Sequence, residues 1–192
     1  MIYPEYVEIE NKRYKINTDF RVAIKCNEIA TDNSIGDYER ALGIIYTLFG
    51  EEGINTPKHY EKLLEMAKKY LLCGDKQLNT NDEPDMDYKE DMDYIEASFM
   101  SDYHIDLSET KMHWWKFNKL INGLSNSELG NCCVLNRIRN LRNYDTKDIK
   151  DTKEKQKIEE AKQRFALKKN KKIATEEQEE NAKELLKDLG LL

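Results

Sequence analysis

Apolar residues recur three or four positions apart through most of the chain, which is the spacing of amphipathic helices. The pattern predicts helices within residues 17–30, 34–50, 57–74, 91–107, 112–124 and 127–144. Their apolar faces define an expected core, which comprises Phe20, Ile24, Leu42, Ile45, Leu63, Leu64, Phe99, Trp114, Phe117, Leu120 and Leu124. Between the third and fourth helices, residues 75–90 are polar, acidic and without a period, and they predict a loop.

The first sixteen residues follow a different period. Val7 and Ile9 alternate with polar residues, the polar stretch "ENKR" follows, and Tyr14 and Ile16 resume the alternation. This pattern predicts a short β-hairpin. An isolated hairpin is marginally stable in water, so the hairpin is expected to lie on the helices. The predicted fold class is therefore mainly α, a helical domain with a small N-terminal β-hairpin.

The last part of the chain changes character at about residue 146. Charged residues dominate, and the apolar residues form two thin stripes, Ile158, Ala161 and Phe165, then Ala182, Leu185, Leu186 and Leu189. Helices with thin stripes gain little from burial. We therefore expect a helical domain over residues 1–145 and a charged helical extension over residues 146–192. The extension is either a solvated tail or a segment that folds against a partner.

The charge of the chain is negative and unevenly distributed. The 192 residues include 37 acidic and 31 basic side chains, a net charge of −6, which argues against general affinity for nucleic acid. Residues 74–110 carry 12 acidic and 2 basic side chains, whereas residues 111–192 carry 13 and 19. This asymmetry favours pairing within the chain, pairing between copies in a homo-oligomer, or an acidic surface for a basic partner. The basic cluster at residues 164–172 lacks interleaved aromatics, so no specific nucleic-acid binding is expected.

No pattern of catalytic or metal-binding residues is present in the sequence. The three histidines are far apart, the four cysteines lack metal-ligand spacing, and no phosphate-binding loop occurs. The acidic repeat "DMDYKEDMDY" lacks the glycine and the final glutamate of a calcium-binding loop. We therefore expect no enzyme activity, no metal and no cofactor. No apolar run reaches the length of a membrane span, and no secretory leader precedes the chain, so a reducing, intracellular environment is expected.

Two adjacent tryptophans form the most unusual local feature. Trp114 lies on the apolar stripe of its predicted helix, whereas Trp115 lies nearly opposite, beside Met112 and Lys119. Either this helical turn is enclosed by the core of the protein itself, or Trp115 is an anchor for a partner, since exposed aromatics are frequent binding hot spots. The candidate partner-binding residues are Met112, Trp115, Lys119 and Phe165.

Several sequence blocks together resemble a known family. "SFMSDYHIDL", "MHWWKFNKLINGL", "IRNLR" and "EEAKQRFALKK" occur in the order found in the bacteriophage gene-product-fifteen family of tailed phages and prophages. The opening hairpin and "TDFRVAIKCNEI" are similar too, so the resemblance covers roughly residues 3–170. The chain departs from the family pattern at His104, where a glycine is usual.

The resemblance implies a role in phage tail morphogenesis. Members of this family are usually encoded between the major tail tube protein and the tape-measure protein, the position of tail assembly chaperones. By this analogy the chain is expected to bind the tape-measure protein and tail tube subunits in the host bacterial cytoplasm. The alternative is a structural tail or neck component that is retained in the virion.

Overall fold

The structure is a computed structural model that describes residues 3–74, 84–126 and 132–168. Its elements are β1 (Tyr6–Ile9), β2 (Lys12–Lys15), α1 (Phe20–Thr31), α2 (Asp37–Ile54), a 3-10 helix (Pro57–His59), α3 (Tyr60–Leu71), α4 (Met92–Tyr103), α5 (Trp114–Asn122), α6 (Val134–Asn143) and α7 (Thr152–Phe165). The predicted fold class, mainly helical with an N-terminal hairpin, is confirmed. The chain divides into two compact units, residues 1–137 and 138–192, so the division falls within α6. Independent folding of residues 1–145 stays a prediction.

The hairpin turns within two residues. Ile9 pairs with Lys12, and the two residues between them, Glu10 and Asn11, have φ angles of 50° and 64°. Positive φ at both positions matches the twist of the two strands, which is why such turns dominate short hairpins. The turn is therefore shorter than the four-residue "ENKR" expected from the sequence.

A polar network fixes the hairpin to the 3-10 helix of the first unit. The buried His59 ring lies between two hairpin side chains, with Nδ1 2.6 Å from the Tyr14 hydroxyl and Nε2 3.2 Å from the Glu10 carboxylate. Lys62 also pairs with Glu10. The hydrogen bonds from Lys62 and His59 lower the pKa of Glu10. His59 is thus satisfied on both ring nitrogens and acts as a structural connector.

The core of the first unit runs from Ile9 to Leu135. Most of the predicted core residues are buried in it, but three are corrected. Leu64 and Leu120 are only partly buried and pack against the core, and Leu42 is partly exposed. On α2 the inward positions are instead Ile44, Ile45, Leu48 and Phe49, which places Leu42 at the edge of the buried face.

The long helix α2 is interrupted at Gly50, where the sequence predicted its end, and then continues to Ile54. Gly50 has φ 65° and ψ −158°, a conformation that only glycine adopts readily. Near this break, the carbonyl of Leu48 accepts a hydrogen bond from the backbone N–H of Asn17 at 2.8 Å. The break therefore lets the end of the hairpin join α2 through the backbone.

The start of α6 is capped by side chains of the first unit. The buried Ser98 hydroxyl of α4 accepts a hydrogen bond from the Leu135 N–H at 3.0 Å, and the Cys133 thiol accepts from the Asn136 N–H at 3.5 Å. Both bonds satisfy N–H groups that have no partner within the helix. Residues 127–131, where the sequence predicted the first turn of this helix, lie outside the described residues.

In the second unit, α7 returns beside the end of α6. Asp151 caps α7 by accepting from the N–H groups of Lys153 and Glu154. Arg142 donates to the Phe165 carbonyl at 2.7 Å, and Lys162 donates to the Tyr144 carbonyl at 2.6 Å. None of the α7 side chains is fully buried, as expected for a charged helix with a thin stripe. The second predicted stripe, Ala182 to Leu189, lies outside the described residues.

Candidate partner-binding groove

The two tryptophans both close the C-terminal end of α3. The Trp114 indole N–H donates to the Leu71 carbonyl and the Trp115 indole N–H donates to the Tyr70 carbonyl, each at 2.9 Å. The Leu71 carbonyl is in the last turn of α3 and has no partner within the helix, so the Trp114 bond satisfies it, whereas the Tyr70 carbonyl also accepts from the Cys73 N–H. Trp115 also covers Gly74, where a Cβ atom would lie 3.2 Å from the indole edge.

The end of α3 has the geometry that these indoles need. Gly74 N–H bonds to the Lys69 carbonyl and Cys73 N–H bonds to the Tyr70 carbonyl, both at 3.0 Å. Cys73 takes the left-handed conformation, with φ 56°, in a Schellman motif. The chain therefore turns sharply away after α3 and exposes its last carbonyls to the tryptophans.

Trp115 thus packs within its own chain, which is the first of the two interpretations drawn from the sequence. Its side chain is partly buried against the core, whereas Trp114 is 2% exposed and lies beside Phe117 and Tyr88. A further role of Trp115 in partner binding stays a prediction.

His113 fixes the start of the tryptophan helix α5. Its Nδ1 accepts a hydrogen bond from the Trp115 N–H at 3.0 Å, and its Nε2–H donates to the Pro4 carbonyl at 3.0 Å. The Tyr3 ring stacks on the imidazole with centroids 4.8 Å apart. Tyr3 and Pro4, which precede β1, are therefore attached to the residue that caps α5.

A short antiparallel pairing joins the start of α5 to the start of α1. Phe20 N–H donates to the Met112 carbonyl at 2.9 Å, and Trp114 N–H donates to the Thr18 carbonyl at 2.8 Å. Residues 111–113 consequently run beside residues 18–20, and the two segments form one side of an open groove.

The groove has a volume of about 1110 Å³ and lies wholly in the first unit. Its lining comes from four segments, residues 15–19, Arg21 and Val22 of α1, residues 46–50 of α2, and residues 111–113. Leu48, Phe49 and Met112 line the groove but are at most 6% exposed, so the apolar surface open to a partner comes from Tyr46, which is 56% exposed, and from the partly buried Val22. The volume is slightly above the range of about 300–1,000 Å³ that is usual for small-molecule pockets.

The predicted partner-binding residues are brought together only in part. Met112 lines the groove but is 5% exposed, so it belongs mainly to the core. Lys119 is exposed, with its ammonium 5.1 Å from the centre of the Tyr3 ring, and neither Lys119 nor Trp115 lines the groove. Phe165 lies in the second unit and is partly buried. Binding by these four residues stays a prediction.

Sequence reasoning did not identify Tyr46, Lys15 or Lys111 as candidates. The sequence feature that could have pointed to Tyr46 is the pair of tyrosines on α2, Tyr38 and Tyr46, which are eight positions apart. In the structure both are more than half exposed. Large aromatics left exposed on a helix are common in binding surfaces. The two lysines gave no signal, because they belong to segments that are distant in sequence.

The described residues offer neither a reactive thiol at Cys26 nor a cluster of metal ligands. Burial raises the pKa of the Cys26 thiol to about 12, which keeps it protonated and unreactive at neutral pH. Within the described parts of the chain, no three His, Cys, Asp or Glu side chains lie together as metal ligands would. None of the helices in residues 3–74, 84–126 and 132–168 has the length and hydropathy of a membrane span.

The sequence profile of one protein family, described as Bacteriophage Gp15 protein, matches residues 3–167. The match covers the hairpin, the tryptophan helix, every segment that lines the groove, and α7. Neither the curated proteins nor the solved structures contain a significant match to the chain.

Proposed function

The chain belongs to the Bacteriophage Gp15 protein family, and we propose that it is a tail assembly protein of the phage. In this proposal it acts as a chaperone in the host cytoplasm, where it binds the tape-measure protein and releases it to the tail tube subunits. It is a binding protein and performs no enzymatic reaction.

The observation that carries the proposal is the open groove beside the start of α5. The groove combines the exposed ring of Tyr46 with the partly exposed side chain of Val22. Tape-measure proteins form long amphipathic helices, and such helices bind by laying their apolar face into a groove of a partner. A chaperone that covers this face prevents the helices from aggregating before the tube forms.

The gene order that is usual in this family supports the same role. A gene located between those for the tube and the tape measure is expressed with both proteins, so its product meets them during assembly. This support is by analogy, and the groove supplies the physical means of binding.

Site-specific crosslinking tests the proposal. A photoreactive phenylalanine replaces Tyr46 in the full chain, which is co-expressed with the tape-measure protein of the same phage. We expect a crosslinked product of the two proteins, because Tyr46 borders the groove. Tyr38 is the matched control, since it lies on the same helix, is 65% exposed and does not line the groove. Equal crosslinking from both positions, or none from Tyr46, would contradict binding in the groove.

The composition of purified virions separates the chaperone from a structural component. A chaperone is released before the tail is complete, so mass spectrometry of virions should not find the chain at the amounts of tail proteins. Its presence there in stoichiometric amount would favour the alternative, a tail or neck component that is retained.

A further inference from the structure

The charges of the groove are specific enough to indicate what it binds. Four charged side chains line it, Lys15, Asp19, Arg21 and Lys111. Asp19 and Arg21 neutralise each other, because the guanidinium Nη1 is 3.2 Å from both carboxylate oxygens of Asp19. The same guanidinium donates to the carbonyls of Leu107, Ser108 and Thr110, which holds it in place.

Lys15 and Lys111 are therefore the uncompensated charges of the groove. Both side chains are exposed, and neither forms an ion pair with any residue in the part of the chain that the structure describes. Lys15 ends the hairpin strand β2, and Lys111 belongs to the segment that precedes α5. The apolar surface of the groove is thus accompanied by two positive charges from separate segments.

We propose that the groove recognises an acidic, amphipathic polypeptide segment, whose apolar side chains enter the groove while its carboxylates pair with Lys15 and Lys111. This inference rests on the proposed function, since it names the part of the tape-measure protein that is bound. Tyr46 and Val22 contact the apolar face of the segment, and the two lysines select segments with carboxylates beside that face.

A polypeptide fits the groove better than a nucleic acid. The partly exposed aliphatic side chain of Val22 offers nothing to a phosphate backbone, and the net charge of the chain is −6. Tyr46 at the border is instead the kind of side chain that anchors protein interfaces.

The experiment measures how tightly the full chain binds overlapping synthetic peptides that cover the tape-measure protein of the same phage. The test variant is Lys15→Glu/Lys111→Glu. The control is Lys58→Glu/Lys69→Glu, which changes the net charge equally at two exposed lysines outside the groove. A thermal melt of each variant shows that it is folded.

We expect the bound peptides to combine acidic and apolar residues, and the test variant to bind them about tenfold more weakly, since reversal turns two attractions into repulsions. The control variant should bind like the unmodified chain. Higher salt should weaken binding to the unmodified chain more than binding to the test variant.

Two different failures are distinguishable. If peptides bind but lack carboxylates, or if the test variant binds as well as the control, the inference is wrong while the proposed function stands. If neither the peptides nor the intact tape-measure protein bind, the proposed function is wrong and the inference falls with it. Displacement of bound peptide by a DNA oligonucleotide at low concentration would show that the lysines serve phosphates, and this too would overturn the inference.

Discussion

At the level of single residues, the adjacent tryptophans have separate partners and unequal burial. Each indole N–H bonds to its own carbonyl at the end of α3, Leu71 for Trp114 and Tyr70 for Trp115. The Trp114 ring is almost completely enclosed by aromatic neighbours, whereas the Trp115 ring is partly buried. Both bonds are 2.9 Å long, but the Tyr70 carbonyl also accepts from the Cys73 N–H, so the loss of either ring differs both in packing and in the carbonyl that it leaves.

Replacing the tryptophans one at a time should give unequal losses of stability. Trp114→Ala is expected to lower the free energy of unfolding by about 3–5 kcal/mol, because it leaves a cavity in the core. Trp115→Ala should cost less, about 1–3 kcal/mol, because its ring loses fewer buried contacts. Urea denaturation measures both values.

The corresponding phenylalanine variants isolate the hydrogen bonds. Trp114→Phe and Trp115→Phe each remove one indole N–H. We expect Trp114→Phe to lose about 1 kcal/mol of hydrogen-bond energy beyond the change in packing, and Trp115→Phe to lose less, because the Tyr70 carbonyl keeps its bond from the Cys73 N–H. If Trp115→Ala destabilises the chain as much as Trp114→Ala, both rings are equally part of the core. A pull-down of the tape-measure protein with Trp115→Ala tests the separate prediction that this residue binds a partner.

At the level of elements, the hairpin and the helices were predictable because each follows its own apolar period. The packing contacts of the segment before α4 were not. The segment reads as a polar acidic loop, but Tyr88 donates a hydrogen bond to Asn118 at 2.7 Å and its ring packs edge-on against Trp114, while Asp91 is fully buried. Such contacts depend on residues thirty positions apart and leave no local pattern.

The groove was unpredictable for the same reason. Its lining is assembled from four segments, and only Met112 among the candidates from the sequence belongs to it. The break in α2 that shapes this region was visible as a glycine, Gly50, but its left-handed backbone and the Asn17–Leu48 bond required the tertiary structure.

Substitution of Gly50 tests the contribution of this break. Gly50→Ala should lower the free energy of unfolding by about 1–3 kcal/mol, because a Cβ atom disfavours φ 65° combined with ψ −158°. The strain is in the backbone alone, since an added Cβ would meet no atom within 4 Å. Chemical denaturation measures the change.

Glu51→Ala is the control, because Glu51 is the next residue of the helix and is exposed, and it should change stability little. Equal stability of Gly50→Ala and the unmodified chain would show that α2 straightens without cost.

At the level of the whole molecule, the acidity of residues 74–110 is used partly for local structure. Asp87 accepts from the N–H groups of Lys89 and Glu90, and Asp106 accepts from the N–H and hydroxyl of Ser108. The hydrogen bonds from Ser108 lower the pKa of Asp106. Asp102 likewise accepts from the Ser125 N–H at 2.8 Å. These carboxylates stabilise turns and helix ends, so the charge of the segment alone does not indicate a basic partner.

The division into two units predicts that the chain tolerates loss of its C-terminal part. The core cluster of the first unit extends to Leu135, and α6 ends at Asn143. A chain ending at Tyr144 therefore keeps every residue of that cluster and the whole of α6. We expect it to stay monodisperse and to show a cooperative thermal transition by circular dichroism.

A chain ending at Leu124 is the control. It removes Cys133 and the fully buried Leu135, and with Leu135 the hydrogen bond to Ser98, so it should lose the transition. Aggregation of the chain ending at Tyr144 would show that residues beyond α6 are needed to complete the fold, and that the charged extension begins later than residue 146.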